Sequence, residues 1–347
     1  MRRALPFALL LTACSTLRPI PLEWREEPGS ARIRSITLDE KGGVELAPLL
    51  PLATGPVAVE NNRLVRDGKR LTEQFAAIES FDYSESRDEV IFSARRDKGF
   101  DVGLAAGDGS KTNWVPADPA DEVMVEWAPR GYKASYVVRA PHGDVVRTLH
   151  IPTSFQYAID FGPATIHDLA WEKTGEKYAV AFSTIDASDR VEVLRYDGRD
   201  RVVALPPATK ITADVVSFAP GAYILRPPGL RYDEKLPVVV WAVDRLEWSD
   251  SRASLMREAR VAMIVARTVD DALRKAIAET PWLDGARVFG VNAKIGTSVV
   301  ADRSIAAGRY RRGGDVIAVA PAAVQSFAAG FIADQLKRNP RTNGSSR

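Results

Sequence analysis

Val125-Glu126-Trp127-Ala128-Pro129-Arg130-Gly131, followed by the strand-like run Ala134-Ser135-Tyr136-Val137-Val138, has a copy on either side of it. The earlier copy is Phe81-Asp82-Tyr83-Ser84-Glu85-Ser86, leading to Val90-Ile91-Phe92. The later one is Leu169-Ala170-Trp171-Glu172-Lys173-Thr174-Gly175, leading to Tyr178-Ala179-Val180-Ala181-Phe182. The aromatic anchors Tyr83, Trp127 and Trp171 therefore stand 44 residues apart. A second landmark is an Asp-Gly pair after an apolar strand, at Asp67-Gly68, Asp108-Gly109 and Asp197-Gly198. Asp-Gly between alternating strands signals a hairpin, because glycine supplies the positive φ of a tight turn. Four-stranded units at this period, each with an aromatic anchor, read as propeller blades.

These repeats resemble the blades of TolB-like proteins and of the prolyl-oligopeptidase group. Residues 31–212 have room for about four such units. A closed propeller of that family needs more, which leaves an incomplete fan or a small β-sandwich. His142, His150 and His167 all fall in this part, beside turns or at strand edges, and are expected to be surface or turn residues. No two of them have metal-ligand spacing with a carboxylate, so no metal site is expected.

The pattern changes at about residue 213. Ala222-Tyr223-Ile224-Leu225-Arg226 and Leu236-Pro237-Val238-Val239-Val240-Trp241 read as strands, the second continuous enough to be buried on both faces of a parallel sheet. Helix-like Ser254–Ala259, the buried run Val261–Ala266, a helix from Asp270 and a third strand ending at Gly290 follow. Such alternation predicts an α/β unit with right-handed crossovers. Asp270-Asp271 suits a helix N-terminus, where carboxylates complement the macrodipole.

This order resembles the catalytic domain of the prolyl-oligopeptidase (S9) branch of the α/β-hydrolases. The matching pieces are the Pro-led strand at Leu236–Trp241, the Asp270-Asp271-Ala272 helix start and the Trp-x-Asp-x-x-Arg-Val lead-in at Trp282–Val288. The resemblance covers about residues 60–325 and implies a β plus α/β chain: a propeller-like array, then a truncated hydrolase-like parallel sheet with flanking helices. In the family the third strand ends in Gly-x-Ser-x-Gly, a strained turn that exposes the nucleophile. Here it reads Gly290-Val291-Asn292-Ala293-Lys294, with an amide at the nucleophile position and Lys294 where glycine lets the helix approach. After Trp241, where the family carries His-Gly-Gly oxyanion donors, stands Ala242-Val243-Asp244-Arg245. Preorganised donors there are worth about 10²–10³ in rate, and a carboxylate opposes an oxyanion. No histidine follows His167 in the sequence. Ser298 reads as a helix serine, and Ser304 and Ser326 have no better context. Arg309–Arg312 with Gly313-Gly314 reads as a solvated basic turn, Val316–Ala322 as the strand that follows the elbow helix, and Val324–Leu336 as an apolar-faced helix.

The N-terminus carries a separate signal. Arg2 and Arg3 precede an apolar stretch, Ala4–Leu11, too short to span a bilayer. It ends in Leu11-Thr12-Ala13-Cys14, which resembles the bacterial lipobox, and Cys14 is the only cysteine of the 347 residues. The resemblance implies cleavage before Cys14, lipidation of its thiol and anchorage by acyl chains. Ser15 is not the aspartate that retains such proteins in the inner membrane, so the outer membrane is the expected address. The expected organisation is signal peptide 1–13, tether 14–30, array 31–212, degenerate hydrolase-like unit 213–336 and polar tail 337–347.

Composition narrows the function classes. With 46% hydrophobic residues the chain is too apolar to be disordered. A net charge of +2, from 47 basic and 45 acidic residues, supplies no field for nucleic acid. One cysteine excludes a disulfide framework. No cofactor is expected. The expected role is a lipid-anchored envelope protein that binds or scaffolds a protein or peptide partner without catalysis. The alternative is a serine hydrolase with an unconventional nucleophile.

Overall fold

The computed structural model describes residues 36–38, 44–46, 56–172, 174–231, 234–292, 303–305, 308–312, 315–319 and 324–338. Cys14, the tether, Lys294, Ser298 and the tail beyond 338 lie outside the described residues.

Each repeat is one antiparallel meander. Strands β1 (Ile36–Leu38) and β2 (Val44–Leu46) pair alone, and β3 (Val57–Glu60), β4 (Arg63–Arg66) and β5 (Lys69–Arg70) form a three-stranded sheet. Three four-stranded sheets follow. The first is β6 (Ile78–Ser84), β7 (Glu89–Arg95), β8 (Phe100–Ala106) and β9 (Thr112–Trp114). The second is β10 (Glu122–Trp127), β11 (Lys133–Ala140), β12 (Gly143–His150) and β13 (Phe155–Asp160). The third is β14 (Ala164–Trp171), β15 (Lys177–Thr184), β16 (Ala187–Arg195) and β17 (Val202–Leu205). Asp67 and Gly68, at φ 50° and 75°, turn β4 into β5 as the Asp-Gly signal predicts.

The second strand of each four-stranded sheet is buried on both faces, at Val90–Phe92, Ala134–Val138 and Tyr178–Phe182, which explains its unbroken apolar run. The anchors pack on these strands; Trp171 lies 4.9 Å, centroid to centroid, from Tyr178. First strands carry a bulge each, between Ile78 and Ser80, Val123 and Glu126, and Ile166 and Asp168. Side chains of the preceding sheet take backbone N–H groups of β10 both inside its bulge and beyond it. Ser80 accepts from Val125 and Asp82 from Trp127. At the far end of the array β1 lies beside β14 and β15, so the first hairpin meets the last four-stranded sheet.

The second half is a six-stranded mixed sheet ordered β18-β19-β21-β20-β22-β23. Its elements are β18 (Asp214–Ala219), β19 (Ala222–Arg226), β20 (Leu236–Ala242), α1 (Asp250–Glu258), β21 (Ala262–Ala266), α2 (Asp271–Glu279), β22 (Leu283–Val291) and β23 (Arg303–Ile305). Strands β21, β20, β22 and β23 are mutually parallel, and β18 and β19 run antiparallel at one edge. Val239, Trp241, Met263, Val265 and Phe289 face α1, and Val238, Val240, Ala262, Ile264 and Val288 face α2. Both faces are thus apolar, as the continuous β20 run requires. Ser249 caps α1, and the Asp270 carboxylate accepts the Leu273 N–H at 2.8 Å to cap α2. Helix α3 (Val324–Arg338) buries Ala328, Ala329, Ile332 and Ala333 on the α1 side. Taken together, the described fold is mainly β-sheet with three α-helices.

Two expectations need correction. The run from Val316 does not extend the mixed sheet; β25 (Asp315–Val319) pairs antiparallel with β24 (Gly308–Arg312) as a separate two-stranded sheet. Consequently Arg309–Arg312 is a strand and not a solvated turn. Gly313-Gly314 between two extended runs is itself a hairpin signal, and the parallel place beside β22 goes to the short β23.

Candidate binding site between the array and the mixed sheet

In an open sheet of this kind the crevice lies outside the carboxyl ends of the parallel strands, where the strand order reverses. Here β20 connects to β21 on one side, and β21 returns to β22 on the other, so the reversal falls between β20 and β22. The chain leaves β20 through Val243-Asp244-Arg245, leaves β21 through Arg267, and leaves β22 at Asn292. Gly290 is a buried strand residue, whereas Asn292 is exposed and left-handed at φ 52°. Asn292 is the last described residue after β22, so the remainder of the Gly290–Lys294 run lies outside the described residues.

This edge faces the array. Arg245 Nη2 donates to the Ile166 carbonyl at 3.0 Å, and Arg267 Nη1 to the Ala140 carbonyl at 3.1 Å. Tyr223 Oη donates to the His142 carbonyl at 2.8 Å. A cavity of about 20 Å³ remains, lined by Arg139, Asp144, Asp244, Arg245 and Arg267 among others. Asp144 is buried; its carboxylate accepts the Ile166 N–H at 2.9 Å and lies 3.5 Å from Arg245 and 3.8 Å from Arg139. Burial raises the Asp144 pKa against the pull of its arginines. Burial, then Arg139, lowers that of Arg245. Gly143 also lines the cavity, and at φ 136° a Cβ there would overlap the Gly162 carbonyl oxygen of the array itself.

A serine, a histidine and an aspartate meet beside this cavity. His167 is buried on β14, which corrects its reading as a surface or turn residue; the bulge after Ile166 turns it inward. Its Nε2 lies 2.9 Å from Ser183 Oγ and 3.5 Å from Asp189 Oδ1. Ser183 Oγ also accepts the Trp248 N–H at 3.3 Å. Acyl-transfer triads place nucleophile and acid on opposite ring nitrogens, the acid orienting the base. In this set both sit at one nitrogen, and Ser183 is only 2% exposed. Burial first, then Arg245 and Arg139, pushes His167 down to about 4, so the ring is neutral at pH 7. Burial and Glu247 push Asp189 up to about 6. The arrangement is a buried hydrogen-bond chain that holds the loop after β20 to the array. Its members lie on successive strands of one meander, so only the hairpin register, not a motif, connects them in the sequence.

The remaining candidates stay apart. His142 is exposed, 3.6 Å from Asp160, and His150 pairs with Thr153. Ser326 contacts Ser251 at 3.3 Å on the outer side of α3 and α1. No cluster of three or more metal-ligating side chains occurs among the described residues, and no described helix is long and apolar enough to cross a membrane.

No protein-family model matches the chain, and no curated protein matches it. Solved structures similar to it are S9 peptidases. They include dipeptidyl peptidase 4 of Porphyromonas gingivalis, 13% identical over 67% of this chain and 42% of that one, with a TM-score of 0.45. Oligopeptidase B from Leishmania major is 8% identical over 66% and 41%, with a TM-score of 0.49. Acylaminoacyl peptidase of Pyrococcus horikoshii is 11% identical over 70% and 43%, with a TM-score of 0.47. The chain thus spans less than half the length of each.

Proposed function

We propose that this chain is a non-catalytic binding protein of the cell envelope, anchored through lipid on Cys14, that recognises a protein or peptide partner at the junction of its two halves. On this reading the second half is a truncated, degenerate hydrolase-like sheet. The observation that carries the proposal is Asn292: an exposed amide at φ 52° at the end of β22, on the edge that faces the array. The loop after β20 supports it, because Asp244-Arg245 stand where a His-Gly-Gly oxyanion turn is expected and the Arg245 guanidinium bonds the Ile166 carbonyl. Ser15 favours the outer membrane as the address.

A fluorophosphonate probe applied to the chain from Ser15 onward, read by intact mass and peptide mapping, tests the absence of catalysis. No adduct beyond that of a heat-denatured control is expected. A stoichiometric adduct on one serine overturns the proposal in favour of the alternative, a hydrolase with an unconventional nucleophile. Incorporation of a palmitate analogue that disappears in Cys14→Ala is expected of the anchor, and unchanged labelling removes it. Photo-crosslinkers placed at Asn292 and Asp244 should capture the partner in envelope preparations, and crosslinks confined to the outer strands refute the junction as the site.

A further inference from the structure

We propose that the cavity walled by Arg139, Arg245 and Arg267 binds a single carboxylate, carried by the C-terminus of a peptide or by a small free acid. The inference rests on the junction being the binding site and names the chemistry it selects.

Charge gives the first argument. Three guanidiniums and two carboxylates, Asp144 and Asp244, line the cavity, so one positive charge is in excess even with both acids ionised. Each half contributes: Arg139 and Asp144 come from β11 and β12, and Arg245 and Arg267 from the loops after β20 and β21. Asp144 pairs with Arg139 and Arg245, and Glu247 also acts on Arg245, so the excess falls on the exposed Arg267.

Donor geometry supplies the second. Arg267 is exposed at the mouth, and Arg139 and Arg245 are half-buried behind it. Arg245 Nε is enclosed and makes no hydrogen bond among the described residues. Planar guanidinium forks match a carboxylate with two parallel N–H···O bonds.

Size supplies the third. A cavity of about 20 Å³ holds one or two oxygen-sized atoms. That is the head of a carboxylate and not the four oxygens of a phosphate. Asp244 at the mouth also disfavours a doubly charged anion.

The test titrates the full chain in detergent by calorimetry, at constant ionic strength, with sodium acetate, tri-alanine, tri-alanine amide and inorganic phosphate. Tri-alanine should bind about tenfold or more tightly than its amide, the loss expected when a charge-assisted hydrogen-bonded partner is removed. Acetate should compete with it and phosphate should not. Equal affinity for acetate and tri-alanine assigns a small free acid, and tighter tri-alanine assigns a peptide terminus. Arg267→Gln, at an exposed position, should weaken tri-alanine about tenfold. Arg226→Gln, at the far end of the neighbouring strand β19, should leave it unchanged. Acid and amide binding alike, with Arg267→Gln weakening both, overturns the carboxylate inference and leaves the junction as a binding site. Phosphate binding more tightly than acetate, an Arg267→Gln chain that binds normally, or no binding by any probe each overturns the inference; the crosslinks at Asn292 and Asp244 then decide separately whether the junction binds a partner.

Discussion

The Asp82 carboxylate accepts the backbone N–H of Trp127 at 2.8 Å, joining two strands 45 residues apart in the chain. Glu126 does the same for Trp171 one sheet later. Each repeat therefore caps the aromatic anchor of the next on the open edge of β10 or β14, where that N–H has no strand partner. An Asp82→Ala chain should lose about 1–3 kcal/mol, the cost of an unsatisfied buried donor. Asp82→Asn keeps an acceptor oxygen and should lose less. Urea denaturation of the two variants measures the difference.

Gly143 and Gly162 approach closely where the start of β12 meets the chain leaving β13. Gly143→Ala combines a φ of 136° with overlap of the Gly162 carbonyl oxygen. It should destabilise the fold by about 2 kcal/mol or more. Gly162→Ala, at φ 73° with open space around the new methyl, should cost only about 1–2 kcal/mol. Thermal melts of both variants give the comparison.

Stability should bend with pH in two opposed ways. Glu122 is fully buried, and burial pushes its carboxyl from 4.5 up to about 7. Between those values the folded chain holds a proton that the unfolded chain releases. That contribution is complete below about 4.5 and is lost as pH rises through about 7. His167 acts the other way. Its pKa falls from 6.5 to about 4, so its contribution is complete above about 6.5 and is lost as pH falls through about 4. Glu122→Gln should flatten the decline toward neutral pH, and His167→Gln the decline toward acid. Denaturant midpoints from pH 4 to pH 8 give both slopes.

Ser183→Ala removes the acceptor of the Trp248 N–H. A loss of about 1–2 kcal/mol is expected, together with faster amide exchange at Trp248 and its neighbours. Unchanged exchange at Trp248 would show that the loop after β20 is held by Arg245 alone.

Asn292→Ser places a hydroxyl on the left-handed turn without supplying a base, since His167 is enclosed against Ser183. The variant should form no more fluorophosphonate adduct than the parent chain. An adduct mapped to the introduced hydroxyl would show that a base does reach the end of β22.

Much of this architecture is written in local patterns. The 44-residue spacing falls on β6, β10 and β14 because each meander closes on its own hairpins, and Asp-Gly turns are decided by neighbouring residues. The Asp270 cap and the α3 stripe are equally local. The hidden features involve register. His167 faces inward because a bulge interrupts the strand alternation, and nothing in Ile166-His167-Asp168 announces that bulge. The separate β24–β25 hairpin was obscured because Arg309–Arg312 has the charge of a loop, although its pairing with Asp315–Val319 needs only backbone groups.

By itself, the sequence determined the strands, their turns and the chemistry absent from expected places: an amide at Asn292, Asp244-Arg245 after β20, and no histidine beyond position 167. Tertiary structure alone decided that Arg139, Arg245 and Arg267 share one cavity with Asp144. Periodicity and turn chemistry act over a few residues. The bond from Arg245 to the Ile166 carbonyl spans 79 residues and exists only because the array and the mixed sheet pack with these groups facing each other.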